Sequence, residues 1–138
     1  MLALRVAGYP DGTAIPAEVP VRPLNMYGVS KCFGEAVAAC FAYGEDLPAI
    51  AIRIGAYEAP WLRASPTASN LSAYVSPRDL NQLIVRCLEA PPEIRFAIVN
   101  GQSDNRVSRL DLASTRTLLG YAPDDDGFAS FDVAHDPA

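Results

Sequence analysis

Apolar and polar residues are distributed along the chain in blocks that predict strands and helices in alternation. Brief apolar runs bounded by glycine or proline are typical of parallel strands that are covered on both faces. Apolar residues at helical spacing between these runs predict the helices that connect the strands. The strands are predicted at about residues 2–7, 49–54 and 96–101, and the helices at 25–43, 77–88 and 108–119. The resulting β-α-β-α-β-α order predicts an α/β fold with a parallel sheet.

Local signals predict where each helix begins and ends. Each predicted start has a side chain that caps helices well, and the first and last helices are predicted to stop at glycine. The first helix is predicted to have Asn25 as its N-cap and Gly44 as its C′ residue. The second is predicted to start at the cap Ser76 and at Pro77, with Asp79 reaching back to the cap. The third is predicted to open with Ser108-x-x-Asp111 and to stop at Gly120. A stretch with four prolines, residues 9–24, predicts a loop before the first helix.

The last part of the chain differs in composition from the rest. From residue 124 onward there are five aspartates and few apolar residues, which predicts a solvated and disordered tail. The sequence therefore divides into an α/β domain over residues 1–123 and an acidic tail over 124–138.

Composition excludes several classes of protein. The 138 residues carry a net charge of -5, which argues against nucleic acids and anionic membranes as partners. No apolar run approaches the roughly 20 residues of a membrane span, and no signal peptide opens the sequence, so we expect a cytoplasmic protein. The three cysteines form no C-x-x-C pair and no metal site is predicted. His135, the single histidine, lies in the acidic tail, which excludes a Ser-His-Asp or Cys-His arrangement.

One pair of residues on the first helix has catalytic potential. Lys31 is the single lysine of the chain and follows Tyr27 by four residues, so both side chains lie on the same helix face. A nearby ammonium stabilises a phenolate, which makes a tyrosine usable as a general acid or base. A solvated surface lysine is the alternative interpretation.

Four segments together resemble the C-terminal half of the extended short-chain dehydrogenases/reductases, the NAD-dependent epimerase/dehydratase family. They are Y-G-V-S-K-C-F-G-E-A at 27–36, R-I-G at 53–55, Y-V-S-P-R-D-L at 74–80 and L-G-Y-A-P at 119–123. Within the family the first two segments are most similar to uronate dehydrogenases, and sugar-nucleotide epimerases are the second choice. The resemblance implies a partial Rossmann-like three-layer fold, with three parallel strands and flanking helices but without the N-terminal dinucleotide-binding half.

The resemblance also implies roles for individual residues. Tyr27 would be the catalytic acid/base, and Lys31 would hold the ribose of NAD. Ala56 and Tyr57 would lie on the substrate side. The family's catalytic serine or threonine falls on Ala3, and a polar residue of its R-x-x-N segment falls on Ala56, so two polar groups are missing. No glycine-rich phosphate loop is present, and we therefore expect the isolated chain to bind NAD at most weakly.

These observations leave three hypotheses for function. In the first, the chain is a truncated, catalytically incomplete dehydrogenase-like protein. In the second, it is one half of a two-chain NAD-dependent sugar oxidoreductase or epimerase, with a separate Rossmann half as partner. In the third, it is a non-catalytic module that binds a sugar or uronic acid or serves as an interaction module. The missing half would expose the first strand and helix faces, so we also expect a homodimer through the 25–43 helix or the open sheet edge.

Overall fold

The computed structural model describes residues 13–133. The predicted first strand, with Ala3, and the histidine at 135 lie outside the described residues. Parallel strands and flanking helices form a mixed α/β fold, which confirms the predicted fold class. The elements are α1 (Met26–Gly44), β1 (Ala49–Ile54), β2 (Ala56–Tyr57), α2 (Pro60–Ala64), α3 (Ala68–Leu71), β3 (Tyr74–Val75), α4 (Pro77–Leu88), β4 (Phe96–Gly101), α5 (Ala113–Leu119) and α6 (Gly127–Ser130).

Two parallel strand pairs organise the described part of the chain. β1 pairs with β4 over six residues, from Ala49 opposite Phe96 to Ile54 opposite Gly101, as the apolar runs predict. β2 pairs with β3 over two residues. Since β2 follows β1 after a single residue, the chain passes directly from one pair into the other.

Two apolar clusters form the core. The first packs α4 and α5 against β4 and consists of Leu83, Val99, Leu112, Leu119 and Tyr121. The second consists of Ala56, Leu62, Leu71, Tyr74 and Phe128. Much of the second cluster comes from α2 and α3, short elements that apolar periodicity does not reveal.

The start of α1 agrees with the prediction and its end does not. The Asn25 carboxamide oxygen accepts a hydrogen bond from the Gly28 N–H at 2.8 Å, as an N-cap should. Gly44 is still helical, and Asp46 adopts the left-handed conformation with φ 55°. The N–H groups of Glu45 and Leu47 both donate to the Phe41 carbonyl oxygen. The prediction of Gly44 as the C′ residue is therefore wrong, because an aspartate closes this helix.

The cap of α4 is also predicted correctly, except for the role of Asp79. The Ser76 hydroxyl oxygen accepts from the Asp79 N–H at 3.1 Å, and Pro77 occupies the first turn. The Asp79 carboxylate does not reach back to the cap. Its two oxygens accept from the N–H groups of Asp124 and Asp125 at 3.0 and 3.1 Å.

The last predicted helix begins later than Ser108-x-x-Asp111 suggests. α5 starts at Ala113, whose N–H donates to the Asp111 carboxylate at 2.8 Å. The Ser108 hydroxyl donates to the Leu110 carbonyl oxygen instead of capping a helix. The stop is as predicted, since Gly120 closes α5 with φ 64°.

Residues 124–133 differ from the expected solvated tail. The side chain of Phe128 in α6 is fully buried, and the Gly127 N–H donates to the Asn105 carboxamide oxygen at 2.9 Å. The Asp126 carboxylate caps α6 by accepting from the Phe128 N–H. The aspartates thus bind backbone and arginine donors while one aromatic ring anchors the segment, a combination that composition alone does not indicate.

Candidate functional site

The first turns of α1 bring the two candidate catalytic side chains together. The Lys31 ammonium nitrogen lies 4.8 Å from the centroid of the Tyr27 ring, a distance at which a cation is attracted by the ring face. Both side chains are exposed, Tyr27 to 55%. Among residues 13–133, no carboxylate is salt-bridged to Lys31. The ammonium therefore has donors available for a ligand next to the phenol.

A largely buried ion pair holds α1 against β1 one turn beyond Lys31. The Arg53 guanidinium donates to both Glu35 carboxylate oxygens, at 2.8 and 3.0 Å, and to the Ala17 carbonyl oxygen at 2.9 Å. The Arg53 and Glu35 side chains are 11% and 14% exposed. Because Glu35 is on the same helix as Tyr27 and Lys31, this contact fixes the rotation of α1 about its axis. The pair is not evident from the sequence, since 18 residues separate its members.

A glycine allows the chain to pass from β1 to the substrate-side segment. A Cβ atom at Gly55 would lie 2.1 Å from the Ala73 carbonyl oxygen, so a larger residue cannot fit without displacement. The Gly55 N–H donates to the Gly101 carbonyl oxygen, and the Ala56 N–H donates to the same Ala73 carbonyl oxygen at 2.7 Å. This glycine belongs to the R-I-G segment identified in the sequence.

The two candidate substrate-side residues have different environments. Ala56 is buried, and its methyl group lies in the apolar cluster with Leu62 and Phe128. Tyr57, the next residue along β2, is exposed. Of this pair, Tyr57 alone presents a polar side-chain group that can contact a ligand.

A small cavity of about 130 Å³ lies beside this segment. Its wall includes Tyr74, Glu58, Arg63 and Ser130. Burial raises the pKa of Tyr74, and the negative charges of Asp125 and Glu58 raise it further. The Tyr74 phenol therefore stays protonated over the physiological pH range.

Buried polar side chains fix the loop that follows β4. The Asn100 carboxamide donates to the carbonyl oxygens of Ile15 and Asp111, at 2.9 and 3.0 Å. The Gln102 carboxamide oxygen accepts from the Leu110 N–H, and the Tyr121 hydroxyl donates to the Gln102 carbonyl oxygen. These contacts tie residues 100–111 to the segment that leads into α1. No local pattern in the sequence reveals the role of these amides, because most of their partners are distant in the chain.

The residues present fit one end of a dinucleotide cofactor. The exposed Lys31 ammonium and Tyr27 hydroxyl can donate to the hydroxyl groups of a ribose. Pyrophosphate binding requires a glycine-rich turn at a helix N-terminus, and the sequence contains no G-x-x-G-x-x-G or G-x-G-x-x-G run. Within residues 13–133, no group of three or more potential ligands could hold a metal ion. None of the helices described is long and apolar enough to cross a membrane.

Comparisons with known proteins place these observations in a family context. No family model matches the chain. It is 37% identical over 120 residues to a uronate dehydrogenase of Pseudomonas putida, covering 85% of this chain and 41% of that protein. It is 32% identical over 130 residues to an NAD-dependent glucose-6-phosphate dehydrogenase of Haloferax volcanii, covering 92% and 45% respectively.

A solved structure agrees with the sequence matches. A mutant uronate dehydrogenase from Agrobacterium tumefaciens, complexed with NAD, superimposes with a TM-score of 0.74 at 28% identity. The match covers 94% of this chain and 48% of that one. The chain is thus similar to the Rossmann-type dehydrogenases in both sequence and fold. More particularly, it resembles the C-terminal part of the uronate dehydrogenases, as predicted, and it spans less than half the length of these relatives.

Proposed function

We propose that this chain supplies the Tyr27–Lys31 pair and the substrate-side segment of an NAD-dependent sugar dehydrogenase, and that hydride transfer requires a dinucleotide-binding half. The observation that carries the proposal is the stacked phenol and ammonium at the exposed start of α1. The relatives named uronate dehydrogenase and NAD-dependent glucose-6-phosphate dehydrogenase support a sugar or uronic acid as the substrate class.

In this proposal each side chain has a defined task. NAD, if bound, would supply the acceptor for the hydride that leaves the sugar carbon. The Tyr27 side-chain oxygen would take the proton from the hydroxyl group on that carbon, as a general base. The Lys31 ammonium, which lies over the Tyr27 ring, would stabilise negative charge on the Tyr27 oxygen and would donate to a ribose hydroxyl group of the cofactor. The ion pair of Glu35 and Arg53 holds α1 in place.

The isolated 138-residue chain is catalytically incomplete in this proposal. The pyrophosphate cradle supplies much of a dinucleotide's binding energy, and these residues contain no such loop. The complementary half is either a part of the same polypeptide or a separate chain. We further propose a cytoplasmic location, which the free thiols of Cys32, Cys40 and Cys87 support.

A complementation assay tests the proposal. NADH formation from glucuronate or galacturonate is followed at 340 nm for the chain alone, for a separately expressed dinucleotide-binding half of a uronate dehydrogenase, and for their mixture. We expect activity in the mixture alone, reduced about 10²- to 10⁴-fold by Tyr27→Phe. The matched control is Tyr43→Phe, which alters another exposed tyrosine of α1.

Two outcomes would contradict the proposal. Steady NADH production or micromolar NAD binding by the isolated chain would show that it is not incomplete. The second outcome is a mixture that forms no NADH, together with calorimetric binding of a uronic acid that Tyr27→Phe leaves unchanged. This outcome would favour the hypothesis of a non-catalytic sugar-binding module. The buried methyl group of Ala56 favours this sugar-binding module as a second candidate function, because the position is polar in the resembling family.

A further inference from the structure

A small cavity lies where the chain leaves the substrate-side segment after β2. It is lined by the charged residues Glu58 and Arg63, the aromatic residues Tyr74 and Phe131, and Ser130 of α6. We call it the Glu58 cavity. Its volume of about 130 Å³ is the room of about four water molecules, so it accommodates one edge of a small molecule.

The aromatic residues give the Glu58 cavity an apolar corner. The Tyr74 and Phe131 rings meet edge to face, with 5.6 Å between their centroids and an angle of 82° between their planes. The buried residue Leu62 belongs to the same wall. Small-molecule sites combine such apolar walls with a few polar groups that fix the orientation of the ligand. The apolar corner therefore fits the C–H groups of a small ring.

The charged residues of the Glu58 cavity retain hydrogen-bonding capacity. Arg63 Nη2 lies 3.6 Å from Glu58 Oε2, which is longer than the roughly 2.7–2.9 Å of a charge-assisted hydrogen bond. Both side chains are accessible, since Arg63 is 74% and Glu58 44% exposed. A hydroxyl group both donates and accepts, whereas a carboxylate accepts and a guanidinium donates. Neighbouring hydroxyl groups can therefore donate to Glu58 and accept from Arg63 at the same time.

The charges around the Glu58 cavity argue against an anionic ligand. Burial raises the pKa of Tyr74, and the negative charges of Asp125, Glu58 and Asp79 raise it further, so the potential at this wall is negative. The Arg63 side chain is largely exposed, and solvent therefore screens its charge. A carboxylate or phosphate group in the cavity would be repelled, whereas an uncharged hydroxyl group would not be.

The backbone of Glu58 adds a separate observation. Its φ is 41°, in the left-handed region where a glutamate is disfavoured and glycine, asparagine or aspartate is more common. Among the described residues, the two others that are not glycine and have positive φ are aspartates, Asp46 and Asp132. Disfavoured conformations of this kind cluster at active sites and ligand-binding sites. A glutamate at this position is therefore better explained by what its carboxylate binds than by the turn itself.

We propose that the Glu58 cavity binds the hydroxyl-bearing edge of an uncharged sugar, and that Glu58 determines this specificity by accepting hydrogen bonds from two neighbouring hydroxyl groups. The choice of a sugar rests on the proposed function, whereas the preference for an uncharged sugar rests on the charges that surround the cavity. Uronic acids, whose carboxylate is repelled, are then the poorer ligands within the class.

The first test measures direct binding to the 138-residue chain by calorimetry and saturation-transfer NMR, without NAD. The probes are D-galactose and D-galacturonate. We expect galactose to bind at least about tenfold more tightly, because the galacturonate carboxylate is repelled. Glu58→Gln should weaken galactose binding about tenfold, since the acceptor loses its charge, and should not weaken galacturonate binding. Glu89→Gln is the matched control, because this carboxylate is 66% exposed at the end of α4, and it should change neither affinity.

Three results would overturn the inference. They are no saturable binding of galactose, tighter binding of galacturonate than of galactose, and equal effects of Glu58→Gln and Glu89→Gln. Because no hydride transfer is measured, each of these results counts against the specificity of the Glu58 cavity and leaves the proposed function standing. An inactive mixture in the complementation assay counts against the proposed function instead.

The second test separates a binding role of Glu58 from a structural one. Glu58→Gly removes the carboxylate and relieves the left-handed conformation, so the urea midpoint of unfolding should rise while galactose binding is lost. Asp46→Gly is the matched control, since Asp46 has φ 55° and lies two residues after α1, and it should leave galactose binding unchanged. Unchanged binding in Glu58→Gly would overturn the inference. A midpoint that falls together with the affinity would overturn it too, because Glu58 would then act by holding the fold.

Discussion

The contact between Arg53 and Glu35 allows the attachment of α1 to be measured as a free energy. Three hydrogen bonds leave the Arg53 guanidinium, two to the Glu35 carboxylate and one to the Ala17 carbonyl oxygen. Both charged side chains are nearly buried, at 11% and 14% exposure. Removing one partner leaves a charge that is desolvated and unpaired, which costs about 3–5 kcal/mol at fully buried sites.

A double-mutant cycle separates these contributions. Glu35→Ala should lower the free energy of unfolding by about 2–3 kcal/mol. Arg53→Ala should cost about 1 kcal/mol more, because it also removes the hydrogen bond to Ala17. Adding Glu35→Ala to Arg53→Ala should cost almost nothing, since no partner remains to lose. The coupling energy between the two side chains is thus expected at about 2–3 kcal/mol.

Urea unfolding provides the measurement, with fluorescence of the single tryptophan, Trp61, as the probe. Trp61 packs against the apolar cluster around Leu62 and Phe128, so its emission reports on the core. The ion pair of Arg63 and Glu58 is the internal control. Its side chains are 74% and 44% exposed, and exposed pairs couple by about 0.2–1 kcal/mol.

The geometry also predicts which replacements restore stability. Arg53→Lys keeps the charge but loses the planar fork, so it should recover less than half of the loss caused by Arg53→Ala. A coupling energy below about 0.5 kcal/mol, or equal coupling in the Arg53–Glu35 and Arg63–Glu58 pairs, would refute the reasoning. It would mean that solvent screens both pairs alike.

Three further perturbations follow from local geometry, each measured as the free energy of unfolding in urea. Gly55→Ala should lower the free energy of unfolding by at least about 2 kcal/mol, because its Cβ atom would lie 2.1 Å from the Ala73 carbonyl oxygen. Gly34→Ala, with open space around it, should raise the free energy of unfolding by about 0.5–1 kcal/mol. Equal effects of the two substitutions would contradict the close approach of Gly55 to Ala73. Phe128→Ala should cost about 3 kcal/mol, and a cost below 1 kcal/mol would mean that residues 124–133 do not pack. Burial, followed by the negative charge of Asp79, raises the pKa of Tyr121, so stability should be independent of this group below about pH 10 and fall at higher pH. Tyr121→Phe should reduce that fall, and an unchanged alkaline slope would contradict the assignment.

Sequence alone predicted the features that depend on near neighbours. The Asn25 and Ser76 caps each accept from an N–H three residues away, and Gly120 closes α5 within a turn. The β1 and β4 runs are apolar over their first four residues, so their parallel pairing followed from pattern and order. The resemblance to the uronate dehydrogenases was likewise contained in short local motifs.

Features that depend on distant partners could not be predicted. The Asp79 carboxylate accepts from N–H groups 45 and 46 residues away. The local sequence predicts instead that Asp79 reaches back to the cap of its own helix. The acidic composition after residue 123 concealed Phe128, whose place in the core depends on Leu62 and Tyr74. The proximity of Tyr27 and Lys31 was predicted from their spacing. Their catalytic roles stay a prediction, because helical periodicity places two side chains together but does not identify the ligand that they bind.

The position of Lys31 has a practical consequence for chemical labelling. No other side chain of the 138-residue sequence carries a primary amine, and this one is exposed over the Tyr27 ring. An amine-directed acylating reagent therefore modifies one side chain, and peptide mass spectrometry can separate it from the α-amino group of the chain. The rate of that single modification reports directly on whether a molecule occupies the start of α1, without any need for turnover.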